Sequence, residues 1–215
     1  MRERFTLPLF LEREFKYPAG LGMFLIAALL YLVTNHFHFW EPALLPMTKL
    51  DHAIPFMPNT SWAYMSEYLL FAFVYILCHN MDELNKFIYS FLALQVVSNI
   101  VFFLWPTTYP RDLFPLPDDL NSLTKFAFSS LRQTDSPANC CPSLHVSSVY
   151  LGSLLFLQES KKKFVFFFIW ATVVAVTTLT TKQHYIVDVI VGLLMAIFIY
   201  WLFHRVLSYT RKNLL

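Results

Sequence analysis

The chain has 215 residues, 57% of them hydrophobic, 18% aromatic and only 14% charged. A soluble domain carries about 25% charged residues, and here the charges are missing in blocks, which argues against an ordinary soluble globule. A net charge of +2 offers no basic surface for nucleic acid.

Tyr17 to Trp40 contain no Asp, Glu, Lys or Arg, nor do Phe87 to Pro110, Ser136 to Gln158 or Phe164 to Thr181. His52 to Met81 carries only Glu67, and Gln183 to His204 only Asp188. A bilayer-spanning helix needs roughly 17–25 mostly apolar residues, and six such runs fit. The expected fold is therefore all-α: a polytopic membrane protein with six transmembrane helices in a bundle, residues 1–215 forming a single integral membrane domain.

In chain order, the residues before Tyr17 mix Arg, Glu and aromatics and suit a membrane surface. The first span covers about 21–40. It is too long for a signal-peptide core and lacks a following cleavage site, so it is expected to be retained. Pro42, Pro46, Pro55 and Pro58 make the next link an irregular loop. The second span covers about 62–79, a polar hairpin runs from Asn80 to Lys86, and the third span covers 87–105. The outer loop 106–141 is the longest polar stretch. The remaining spans are expected at 143–159, 164–181 and 184–208. Cys78 lies in an apolar run; Cys140 and Cys141 are adjacent, which suits neither a disulfide nor a metal finger, so all three read as packing residues.

Orientation follows the Lys and Arg distribution. With the N-terminus cytoplasmic, the inner segments hold eleven of the sixteen, including Arg2, Arg4, Lys161, Lys162, Lys163 and Lys212. The outer segments hold five: Lys49, Arg111, Lys125, Arg132 and Lys182. Both termini are then cytoplasmic, and Pro142–His145 and Thr181–Asp188 share the outer face.

These two stretches carry the chemistry. His184 and Asp188, four apart at a helix start, lie on one face, and ionisable residues in a span are functional candidates. The carboxylate can keep one imidazole nitrogen protonated and leave the other free to attack; a buried polar tie between helices would use the same pair. Pro142 fits a first helical turn. Ser143 can cap or donate at a helix N-terminus that attracts anions. His145 would sit beside a phosphate there and protonate a leaving oxygen; an ordinary cap with a satisfied histidine is the alternative. Lys182 and Arg111 could complete an anion site, or snorkel to the interface.

Pro142-Ser143-Leu144-His145 and His184-x3-Asp188 resemble the second and third motif blocks of the type 2 phosphatidic acid phosphatase superfamily, the lipid phosphate phosphatases related to vanadium haloperoxidases. The resemblance covers roughly the third to sixth spans. It implies that His184 is a nucleophile passing through a phosphohistidine and that Asp188 orients it. It also implies that His145 is the general acid, that Ser143 and basic residues hold phosphate, and that no metal or other cofactor takes part. The third block's Ser-Arg falls on Thr177-Thr178, so the family arginine is absent and Lys182 stands one turn on. Lys125-x6-Arg132 has the first block's spacing without its proline. The Pro106 to Arg111 stretch is similar to the inositol-phosphorylceramide synthase branch and its bacterial relatives, which favours Arg111 for the phosphate.

The resemblance implies hydrolysis of a phosphomonoester or diphosphate lipid at the outer face of a membrane, a bacterial inner membrane by its motif style. The partners are the bilayer and a lipid phosphate, with no nucleic acid. The alternatives are a phosphotransferase passing the head group to another alcohol, and a non-enzymatic scaffold or transporter. Phe102, Phe103, Trp105, Phe114, Phe126 and Phe128 are candidates for an acyl-chain path or for an interfacial aromatic belt.

Overall fold

The structure, a computed structural model, describes residues 6–135 and 137–211. Arg2, Arg4 and Lys212, part of the charge asymmetry above, lie outside the described residues. The protein is mostly helical: α1 (Lys16–His36), α2 (Lys49–Ala53), α3 (Ser61–Met65), α4 (Glu67–Leu77), α5 (Met81–Leu104), α6 (Ser122–Thr134), α7 (Leu144–Leu154), α8 (Lys161–Thr180) and α9 (Ile186–Trp201). Two short parallel pairs complete it, β1 (Thr6–Leu9) with β4 (Ser208–Arg211), and β2 (Ala43–Leu44) with β3 (Thr107–Thr108).

Among the described residues, four helices are long and apolar enough to cross a membrane: α1, α5, α8, and α9 with its π-helical extension to Val206. The other two predicted spans are shorter. The second is divided at Ser66 into α3 and α4; the Ser66 hydroxyl bonds the Ala63 carbonyl and accepts from Trp170 Nε1 of α8. The fourth is Leu144–Leu157, α7 with a closing 3-10 turn.

Several ends differ from those expected. α1 begins at Lys16, because its ammonium reaches the carbonyls of Ile76 and Cys78 at the end of α4 (2.9 and 2.8 Å) and Pro18 is harmless in a first turn. α5 begins at Met81, so the expected hairpin Asn80–Lys86 is instead its opening. The Asn80 side chain accepts from the N–H groups of Asp82 and Glu83, and two acids suit that positive end. The polar loop holds an unforeseen amphipathic helix, α6. Its Thr124, Ala127, Phe128 and Leu131 are buried at helical spacing.

α7 is the central helix. Val146 to Ser153 are all buried, and it packs against α9, α8, α4 and α5. Small residues let backbones approach. A Cβ on Gly192 of α9 would lie 2.6 Å from the Ser143 carbonyl oxygen, so only glycine lets α9 lie against the start of α7. Hydrogen bonds between membrane helices contribute only about 0.6 kcal/mol each, so pairs such as Tyr150–Thr172 add less than this packing. The outward faces are apolar and exposed, with Leu25 and Leu29 on α1, Ile169 and Val173 on α8, and Leu194 and Ile197 on α9; lipid is the solvent such a surface fits. The end of α1 and the starts of α4, α7 and α9 meet at one end of the bundle, beneath α6.

Candidate active site

The α8–α9 turn sets His184. The N–H groups of Gln183 and His184 both donate to the Thr178 carbonyl (3.0 and 3.2 Å), closing α8. Lys182 between them takes a left-handed backbone, φ 53°. Asp188 then serves three partners. Its Oδ1 accepts from the Tyr185 N–H (3.0 Å), its Oδ2 lies 3.1 Å from His184 Nδ1, and its carbonyl accepts from the Ser143 N–H (3.0 Å). Its position in the first turn of α9 supports a negative charge. A carboxylate can only accept, so Nδ1 carries the proton and Nε2 carries the lone pair.

Ser143 is the N-cap of α7, accepting from the Val146 N–H at 3.3 Å. Pro142 precedes the cap rather than filling the first turn. The N–H groups of Leu144 and His145 have no acceptor among the described residues, as at any open helix start. His145 faces His184, ring centroids 5.5 Å apart at 64°. On its other side Nδ1 meets the Glu67 carboxylate at 2.9 and 3.0 Å. Nε2 pairs with the Tyr64 hydroxyl at 2.8 Å and lies 3.9 Å from Asp135 Oδ2. Asp135 also accepts from the Tyr31 hydroxyl. Burial opposes the Asp135 charge, but His145, Tyr31 and Arg111 together hold its carboxyl below the ordinary value.

Of the predicted cations, Arg111 is at the site. Its guanidinium bonds Gln183 Oε1 (3.1 Å), the Tyr109 hydroxyl (2.9 Å) and the Arg132 carbonyl (2.8 Å), and lies 3.8 Å from Asp135. Lys182 is spent elsewhere. Its ammonium bonds the carbonyls of Asp51 and Ile54 (2.6 and 2.5 Å), holding the α2 loop to the α8–α9 turn. Asp51 completes that strap by accepting from the Ile186 N–H at 2.8 Å. Arg132 bonds the Phe114 carbonyl and stacks on Phe128, and Lys125 is exposed on α6.

The structure therefore brings together His184, Asp188, Ser143, His145 and Arg111, and directs Lys182 away. It adds Glu67, Tyr64, Asp135 and Tyr31, which were not singled out. Glu67 did carry a signal, as the lone carboxylate in an apolar run that is 2% exposed; the others had none. A cavity of about 310 Å³ ends at His145, and none of the six aromatics proposed for an acyl-chain path lines it. A larger cavity of about 730 Å³ lies at the opposite end, beside β1 and the start of α5, and holds none of this chemistry.

The sequence profile of the PAP2 superfamily matches residues 24–202. The chain belongs to the PAP2 superfamily. The match reaches back through α1 and α3, beyond the segment whose motifs suggested it. PAP2 superfamily members are phosphatases, and membership points to phosphatase-like activity on lipid phosphates. With several long apolar helices, it makes the chain an integral membrane protein. No curated protein matches the chain.

Proposed function

We propose that this PAP2 protein is a metal-independent lipid phosphate phosphatase working through a phosphohistidine. The observation that carries the proposal is the facing pair of imidazoles, each held by a carboxylate, beside Arg111. His184 Nε2 attacks phosphorus while the bond to the lipid oxygen breaks, and His145 Nε2 gives that oxygen its proton. Asp188 stabilises the cationic ring that results. Water then gives a proton to His145 and attacks the phosphohistidine, releasing phosphate and restoring both rings. Arg111, Ser143 and the free N–H groups of Leu144 and His145 hold the equatorial oxygens, where phosphoryl transfer takes most of its stabilisation. Glu67 positions His145 by fixing Nδ1. In the membrane, α3–α4 and α7 complete a six-segment bundle, with both termini cytoplasmic and the site at the outer face, as the Lys and Arg distribution favours.

The test is phosphate release from a panel of lipid phosphates in detergent with EDTA, by wild type and His184→Ala. Release by wild type, reduced about a thousandfold or more by the substitution, is expected. Equal release by both would overturn the assignment. No release by folded wild type would overturn hydrolysis, and product analysis with candidate alcohols would then test transfer.

A further inference from the structure

The cavity that ends at His145 is one end of a longer groove. It is walled by α1, α4, α5 and α7, with Phe24, Phe71 and Phe91 along its length. A second cavity of about 340 Å³ continues toward Tyr17 and Ile76 and shares Phe24, Tyr68 and Phe71 with the first. α1 packs on α5 and meets α4 near Lys16 and Gly20, where Tyr75 closes the groove; beyond them the groove is open sideways, where Phe24 and Tyr68 are 46% and 52% exposed. From Tyr31 to Tyr17 along α1 is about 21 Å at 1.5 Å per residue. That is somewhat more than one leaflet of a hydrocarbon core roughly 30 Å thick.

One polar pair interrupts the apolar wall. Ser148, one helical turn below His145, and Gln95 of α5 are each about 4% exposed, and both line the cavity. One end of the Gln95 amide meets the Ser148 hydroxyl at 3.4 Å. The other end has no hydrogen-bond partner among the described residues. A bare hydrocarbon would leave that buried amide unsatisfied, and a lipid hydroxyl or amide at that depth would satisfy it.

We infer that the α1–α4 groove takes a single hydrocarbon chain of the substrate from the bilayer. Gln95 and Ser148 read a hydroxyl or amide beside the phosphate ester. The favoured substrate class is thus a lipid phosphate that lays one chain in the groove and carries a hydrogen-bonding group next to the ester. This rests on reading the site as a lipid phosphate enzyme.

The experiment compares kcat/KM for two single-chain phosphates of equal length, one with a hydroxyl beside the ester and one a plain alkyl phosphate. Wild type is expected to favour the hydroxylated lipid tenfold or more, and Gln95→Leu, shown folded by its melting curve, to bring that ratio close to one. A wild-type ratio near one, or a ratio unchanged in Gln95→Leu, would overturn the inference. A second measurement needs no turnover. A diazirine-bearing hydroxyalkyl phosphate is photo-crosslinked to His184→Ala in phosphatidylcholine vesicles. Adducts at Phe24, Tyr68 or Phe71 support the groove even if the proposed hydrolysis fails; adducts spread evenly over the outward helix faces overturn it.

Discussion

The two histidines at the centre of this protein are built in opposite ways. His184, in the α8–α9 turn, takes its carboxylate from Asp188, four residues on in the first turn of α9. His145 takes its carboxylates from Glu67, 78 residues away on α4, and from Asp135 in the loop before α7. The first pair is fixed by local backbone geometry as soon as the α8–α9 turn and the first turn of α9 form. The second exists only when α4, α6 and α7 are assembled. The nucleophile is thus prepared locally, whereas the acid depends on the whole bundle and on the loop above it.

That contrast can be broken from either side. Asp188→Asn removes both the tautomer control on His184 and the charge that stabilises its cationic form. It should lower kcat by on the order of 10²–10⁴, measured as lipid phosphate hydrolysis. A loss under threefold would mean that His184 does not need its carboxylate. Glu67→Gln keeps the shape but weakens the hold on His145 Nδ1. The expected loss is smaller, about tenfold to a hundredfold in kcat with little change in KM. A purely structural role for Glu67 would instead show in the melting curve and leave the kcat of folded protein unchanged.

The smallest effect belongs to the strap that carries Lys182. Burial opposes the charge of Asp51, yet hydrogen bonds from Thr48 and the Ile186 N–H, with the nearby Lys182 charge, hold its carboxyl below its ordinary 3.8. A lowered folded value means that the stabilisation is complete above the unfolded pKa and is lost as pH falls through the folded one. Wild-type melting temperature should therefore fall more steeply below about pH 4 than that of Asp51→Asn. Parallel curves would remove Asp51 from the strap.

The same contrast explains what could be read from the sequence. The four long apolar runs announced their helices, because hydropathy is a property of neighbours in the chain. The division at Ser66 was not legible, since it is supported by Trp170 from α8. Asp188 beside His184 followed from spacing alone, and Glu67 stood out only as a charge where none was expected. Asp135 and Tyr31 lie in a loop and on a helix with no shared pattern, and only the fold joins them. Lys182 looked like a replacement for the missing arginine because it is close in sequence. Its left-handed backbone and the carbonyls of Asp51 and Ile54 send its ammonium elsewhere. α6 was legible in principle, as Asn121 caps it and its apolar residues keep helical spacing, but the prolines around it read as irregular loop.

The central claim is that His184 becomes covalently phosphorylated. The most direct measurement is rapid quenching of the wild-type enzyme during turnover of a lipid phosphate carrying ³²P, followed by mapping of the labelled peptide under alkaline conditions that preserve phosphohistidine. The account predicts label on His184 of the α8–α9 turn, absent in His184→Ala. Label on another residue, or turnover with no labelled protein at any quench time, would contradict it.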